Sequence, residues 1–232
     1  MLRRTLAPIH PDGWKFIAIA ALTSIVLFLL WQPAGWAGLI ITLWMAYFFR
    51  DPWRVTPGRA GLIVSPADGI VVALAPAPPP PELEMGADPV PRIGIFLNLF
   101  DVHVARAPVA GRVAARRYTK GRFVNASLDK ASLDNERLAI RIAPPEMPEI
   151  AFVLIAGLVA RRIVCPTYQG QLLAAGERIG LIRFGSRVDV YIPPPYRPLV
   201  ALGQRMVAGE TVLADRPVPP PTDQPEQDGV AH

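Results

Sequence analysis

Apolar residues are distributed along the chain in two different ways, and the change falls near residue 60. Before it, two long uninterrupted runs stand close together. Residues 14–31 carry one charge, Lys15 at the edge, and residues 36–49 carry none. A helix needs roughly 20 residues to cross the hydrocarbon core of a bilayer, so the first run is about long enough and the second is shorter. Gln32-Pro33-Ala34-Gly35 between them is turn chemistry. The pattern predicts a membrane-associated helical hairpin over residues 1–59. A cleaved leader competes for Arg3 and Arg4 before an apolar run, but no Ala-x-Ala-like site follows and a second apolar run does.

From residue 60 the runs shorten and become rich in Val and Ile, with Gly and Pro between them. Residues 61–64, 69–75, 92–97, 111–117, 137–142, 150–156, 178–184, 188–192 and 211–214 read as strands. Residues 155–164 fit either a strand or a short helix. The stretch 170–180 resembles 200–213, and each places Ala-Gly-Glu before a short apolar run. Such turns recur in interlocked hairpins, so the fold class is mainly β, a compact domain of barrel-sandwich-hybrid type over 60–216. Residues 76–91 are proline-rich and acidic and read as a surface loop, while 217–232 read as a disordered proline-rich tail.

Charge adds an orientation. Residues 1–59 hold six Lys/Arg (Arg3, Arg4, Lys15, Arg50, Arg54, Arg59) against Asp12 and Asp51, a net of +4 out of +5 for the chain. These residues flank both outer ends of the hairpin and spare its tip, which places both ends on the cytoplasmic side of the cell membrane. The rest of the chain is nearly neutral and shows no basic stripe with interleaved aromatics, which argues against nucleic acid. A lone cysteine, Cys165, excludes an internal disulfide and reads as a buried structural thiol. Three scattered histidines, His10, His103 and His232, do not make a metal site.

Three positions carry candidate chemistry. Gly185-Ser186 lies between two apolar runs. By itself the pair is a turn, but glycine there tolerates strained backbone and lets the hydroxyl approach its own preceding carbonyl. Attack of Ser186 Oγ on that carbonyl is an N→O acyl shift. Elimination of the ester, tautomerisation and hydrolysis then leave a pyruvoyl group. Serine needs a base for this. Asp68, in Ser65-Pro66-Ala67-Asp68-Gly69, reads as a turn stabiliser or as an acid/base group. His103, in Phe100-Asp101-Val102-His103, reads as a structural histidine or as the base. An Asp–His–Ser set would join base and orienting partner.

Taken together, Phe48-Phe49-Arg50-Asp51-Pro52, Ser65–Gly69, Asn98-Leu99-Phe100-Asp101-Val102-His103-Val104 with Arg106-Ala107-Pro108, Lys120-Gly121-Arg122-Phe123, Asp129-Lys130-Ala131-Ser132 with Asn135-Glu136-Arg137, and Phe184-Gly185-Ser186 resemble the phosphatidylserine decarboxylases in their compact bacterial and archaeal form. The resemblance covers nearly the whole chain. It implies self-cleavage between Gly185 and Ser186 into a β chain, 1–185, and an α chain, 186–232, which stay together as a heterodimer; a higher homo-oligomer is compatible with it. It implies a covalent pyruvoyl cofactor made from Ser186 that forms a Schiff base with phosphatidylserine in the membrane and accepts electrons as CO₂ leaves. Asp68 matches an aspartate that supports cleavage, and His103 a histidine implicated in decarboxylation. Longer members carry His-x-x-His, where this chain has His103-Val104-Ala105-Arg106, and Arg106 is no base at neutral pH. Asp68 and His103 are therefore expected to share the proton transfers. The rival class, a membrane-anchored lipoyl-like binding module, would want an exposed modifiable lysine at a hairpin tip, and none is evident.

Overall fold

The computed structural model describes residues 7–121, 135–157, 162–183 and 185–217. The motif at 129–132, Phe184, His232 and all of the expected tail but Pro217 lie outside them. Two helices open the chain, α1 (Trp14–Leu30) and α2 (Gln32–Phe48). Only Trp31 separates them, in an extended conformation. The stretch 32–35 is thus the first turn of α2 rather than a loop. Pro33 fits there because its missing N–H belongs to a turn whose donors have no helical partner anyway. Small residues bring the helices together: Ser24 Oγ donates to Gly35 O at 3.0 Å, and a Cβ on Gly38 would meet Ser24 Cα at 3.0 Å. Ile19, Leu22, Leu29, Ile40 and Leu43 stay exposed, an apolar surface without protein cover. Residues 11–30 are long and apolar enough to cross a membrane, with mean hydropathy 2.1. At the base the two ends are clasped, with His10 N donating to Phe49 O at 2.8 Å and Asp51 N to Pro8 O at 2.7 Å.

All nine expected strands form. In chain order the strands are β1 (Ile63–Val64), β2 (Gly69–Ala77), β3 (Val90–Leu97), β4 (Val104–Arg106), β5 (Gly111–Thr119), β6 (Arg137–Ala143), β7 (Ile150–Ala156), β8 (Ile163–Val164), β9 (Leu172–Leu173), β10 (Arg178–Ile182), β11 (Ser186–Tyr191), β12 (Arg197–Pro198), β13 (Arg205–Met206) and β14 (Val212–Asp215). A curled eight-stranded sheet runs β13-β2-β3-β11-β7-β6-β5-β9. Two three-stranded sheets, β1-β14-β12 and β4-β10-β8, complete a mainly β fold. Alternation divides β11 between two environments. Val188 and Val190 enter the main core with Ile93, Ile95, Phe152 and Leu154. Tyr191 joins Ala139, Val153 and Ile155 in a second cluster on the other face. Leu83 is buried in that second cluster, so the acidic proline-rich stretch is pinned down by one apolar residue rather than lying free on the surface.

The repeat seen at 170–180 and 200–213 has a second half. Gly209 N donates to Ser65 O at 2.7 Å, and Gly176 N donates to Ala107 O at 2.9 Å. Val71 N donates to Gln204 O and Val113 N to Gln171 O, at 3.0 and 2.9 Å. The corresponding stretches are Ser65-Pro66-Ala67-Asp68-Gly69 and Ala107-Pro108-Val109-Ala110-Gly111. They cross reciprocally: Val64 N donates to Pro108 O and Arg106 N to Pro66 O. Two interlocked copies of one hairpin unit thus make the heart of the domain. In this alignment of halves Asp68 stands opposite Ala110, so the carboxylate is an addition to the shared scaffold rather than part of it.

Where the hairpin joins the β domain, charges are buried. Asp51 lies between Arg106 Nη2 at 3.3 Å and Arg178 Nε at 2.6 Å. Removing one member of a buried charge group strands the others. Asp51→Ala is expected to lower the unfolding free energy by about 3 kcal/mol. Asp215→Ala, which breaks the more exposed pair with Arg59, should cost no more than about 1 kcal/mol. Denaturant titration of both variants checks the difference.

Candidate active site

Gly185 and Ser186 lie where the small sheet hands the chain to the large one. β10 belongs to the former and pairs with β4, Leu181 opposite Val104. That register puts His103 beside the end of β10, and Ile182 N donates to His103 O at 3.2 Å. β11 then enters the large sheet between β3 and β7, with Ser186 opposite Leu97 and Ala156. The intervening Gly185 has φ +71°, a left-handed conformation that only glycine adopts cheaply.

Two hydrogen bonds hold the Gly185 residue. Its N–H donates to His103 Nε2 at 3.2 Å, and its carbonyl accepts from Gly157 N, just past β7, at 3.1 Å. His103 Nδ1 lies 3.0 Å from the Asp101 carbonyl. A carbonyl only accepts, so Nδ1 carries the proton and Nε2 is the unprotonated position that accepts the Gly185 N–H. His103 is fully buried, and the Phe48 ring of α2 lies against it with centroids 4.3 Å apart. Burial penalises the imidazolium and lowers the His103 pKa to about 4, so the ring is neutral at pH 7.

Ser186 is also fully buried, and its Oγ has no hydrogen-bond partner among the described residues. By alternation its side chain points to the face of Val188, among Leu97 and Ala156 of the main core. A buried hydroxyl without a partner forfeits stability and so calls for an explanation. The neighbouring Gly185 carbonyl, by contrast, is held in place by the Gly157 N–H.

Asp68 sits further along the same margin. Ile70 pairs with Phe96, and Phe96 with Arg187, so β3 separates the start of β2 from the start of β11. Two strand spacings, roughly 10 Å, lie between them. Asp68 accepts from Arg54 Nη2 at 2.7 Å and from Ala208 N at 2.8 Å. Burial raises its pKa, against the lowering effect of these two donors. No hydrogen bond joins Asp68, His103 and Ser186 to one another among the described residues; the structure brings His103 to the Gly185–Ser186 pair and leaves Asp68 two strands away. Arg106 has a different task. It donates to Gly176 O at 2.9 Å and Pro52 O at 3.1 Å and pairs with Asp51, clamping the hairpin's exit to the β domain. Sequence reasoning did not find Gly157, and it named Arg54 and Phe48 only as a basic flank and a motif residue, without a place in the site. The first acts through its backbone, and the others meet the site only through long-range packing.

A hairpin with an uncovered apolar surface, joined to a β domain with an uncommitted buried serine beside a neutral histidine, has the make-up of an enzyme rather than of a carrier module. The family model for phosphatidylserine decarboxylase matches residues 41–214. A phosphatidylserine decarboxylase proenzyme of Cereibacter sphaeroides is 56% identical over 215 residues, 93% of either chain. One of Ruegeria pomeroyi is 57% identical over 210 residues, 90% of this chain and 96% of its own. One of Beijerinckia indica is 54% identical over 224 residues, 97% and 94%. The chain belongs to the phosphatidylserine decarboxylase family and is an enzyme of the decarboxylase class.

The buried neutral His103 makes a pH prediction. Its folded pKa of about 4 lies below the ordinary 6.5, so between these values the unfolded chain binds the proton and the folded one does not. Stability is expected to fall as pH drops from 6.5 towards 4, and His103→Gln should flatten that fall. Thermal midpoints of both proteins across this window check it; parallel curves would contradict it.

Proposed function

We propose that the chain is the precursor of a pyruvoyl-dependent decarboxylase that cleaves itself between Gly185 and Ser186 and converts phosphatidylserine to phosphatidylethanolamine and CO₂. The observation that carries the reading is the Gly185 residue itself. It is left-handed, its carbonyl is held by the Gly157 N–H, and it is followed by a hydroxyl with no other commitment.

For cleavage, Ser186 Oγ adds to the Gly185 carbonyl carbon and loses its proton. His103 Nε2 takes that proton by exchanging its Gly185 N–H partner for the hydroxyl one residue on. Negative charge builds on the Gly185 oxygen, where the Gly157 N–H already points. One such donor is worth about 10²–10³ in rate in acyl-transfer sites. The Gly185–Ser186 C–N bond breaks as the Ser186 nitrogen gains a proton, leaving an ester. Loss of the Ser186 Cα proton expels the Gly185 carboxylate, and water then releases ammonia. Asp68, tied to Arg54 and Ala208 two strand spacings away, is out of direct reach of these protons, and its share in the transfers is an indirect one that acts through the groups between. Once made, the ketone at position 186 supplies an electron sink for the pair left behind by departing CO₂. His103 Nε2 stays beside it, placed to take a proton from water and pass it to the product carbon.

The products are a β chain of residues 1–185 that keeps the hairpin and an α chain of residues 186–232. A two-chain lipid spends little time in water, so the site must work at a bilayer. The hairpin supplies the attachment, and the basic flanks put the domain on the cytoplasmic side.

Ser186→Ala should run as one undivided band without activity. His103→Ala should slow cleavage by at least about 10²-fold, in line with the loss of a general base. Asp68→Asn should slow it less. Time-resolved denaturing gels of freshly made protein, with product assayed in parallel, check all three. A Ser186→Ala protein that retains activity would sink the proposal.

A further inference from the structure

We propose that Leu99 and Phe100 form a rigid apolar wedge that inserts into the lipid bilayer beside the hairpin and seats the His103–Ser186 site at the membrane surface. This rests on reading the hairpin as membrane-embedded and adds a second, independent point of insertion.

The turn that carries the two side chains is closed on itself. Asn98 N donates to Asp101 Oδ2 at 2.9 Å, Phe100 N to Asn98 Oδ1 at 2.8 Å, and Asp101 N to Asn98 O at 3.1 Å. Arg205 Nη2 fixes Asp101 from outside at 2.6 Å. With its polar groups satisfied internally, the turn still leaves Phe100 64% and Leu99 40% exposed. A turn tip presenting two adjacent large apolar residues to water is an unusual use of a position that polar residues normally take.

Its place in the molecule identifies the partner. The Arg50 guanidinium donates to Tyr47 O, in the last turn of α2, and to Phe100 O, each at 2.8 Å. The wedge therefore stands one guanidinium width from the point where the helix leaves the apolar layer. Arg50 also stacks on the half-exposed Tyr47 ring, 3.8 Å from its centroid. A cation beside aromatic rings at a helix end is the chemistry of the lipid headgroup region. A bilayer surface is thus continuous from the hairpin onto the wedge, and Arg50 and Arg205 favour one that carries anionic lipid.

The consequence for the reaction lies in the same turn. The Asp101 carbonyl receives the His103 Nδ1 proton, and β3, which ends at Leu97 just before the turn, pairs with Ser186. Whatever fixes the depth of Phe100 also fixes the depth of the site, so the wedge holds the reacting carbon level with lipid headgroups.

The test places an environment-sensitive NBD probe at position 100, as Phe100→Cys in the Cys165→Ser full-length protein reconstituted into phosphatidylethanolamine/phosphatidylglycerol vesicles. Control probes go at Leu29→Cys, on the hairpin, and at Glu146→Cys, beyond the end of β7 remote from Ser186. The probe at 100 is expected to shift to the blue and to lose emission when the vesicles contain lipids spin-labelled near the headgroup; the probe at 146 should do neither. If 29 is quenched and 100 behaves like 146, the hairpin reading stands and the wedge is overturned. A blue shift at 100 without quenching means protein cover, which also overturns it. If 29 is not quenched, the membrane reading and the wedge fall together.

Discussion

The Gly185 peptide is tied from both sides before any chemistry starts. Its nitrogen is bonded to a histidine held by the small sheet, and its carbonyl to an amide at the end of the neighbouring strand in the large one. To satisfy both, the residue takes a left-handed backbone that places the next hydroxyl among aliphatic neighbours with no hydrogen-bond partner among the described residues. The surrounding architecture serves this junction. β10 must arrive in register with β4 so that His103 reaches it, and β11 must start opposite Leu97 and Ala156 so that Ser186 faces inward. A slip of one residue in β11 would turn Ser186 to the other face.

The hairpin belongs to this arrangement rather than being a tether added to it. Phe48 and Phe49 close a cluster with Val102, Val104 and Leu181, the residues around His103. Phe48 therefore contributes to the burial that keeps the imidazole neutral. Arg106 fastens the chain just after the hairpin to the Gly176 turn, in the place where longer relatives are expected to carry a second histidine. In this chain the buried guanidinium thus serves attachment, and among the described residues His103 is the basic group bonded to the Gly185 N–H.

Much of this could be read in the chain because strong local patterns coincide with long-range structure. Each of the nine apolar runs became a strand: seven show alternation or continuous burial over five or more residues, and the four-residue runs at 61–64 and 211–214 stood out by their Gly and Pro punctuation. β4, β8, β9, β12 and β13 have two or three residues each, too few for any period to show. One arm of the internal repeat was visible in its Ala-Gly-Glu turns. The other, pairing Ser65–Gly69 with residues 107–111, shares little beyond Pro and Gly, and only the backbone hydrogen bonds reveal it. Ser186, His103 and Asp68 stood out through their motifs, but their partners did not. An amide such as Gly157 N–H has no side-chain signature, and the Arg54–Asp68 pair depends on how the hairpin exit folds back over the β domain.

The central claim is that residue 186 begins life as serine and ends as a ketone at a new N-terminus. The most direct measurement is sequential N-terminal degradation of the small fragment from active protein, before and after reductive amination with cyanoborohydride and ammonium. The account predicts a blocked fragment at first, then a readable sequence beginning with alanine in place of Ser186 and continuing Arg187-Val188-Asp189. A fragment readable from the start with serine at its head, or active protein with no small fragment at all, would contradict it.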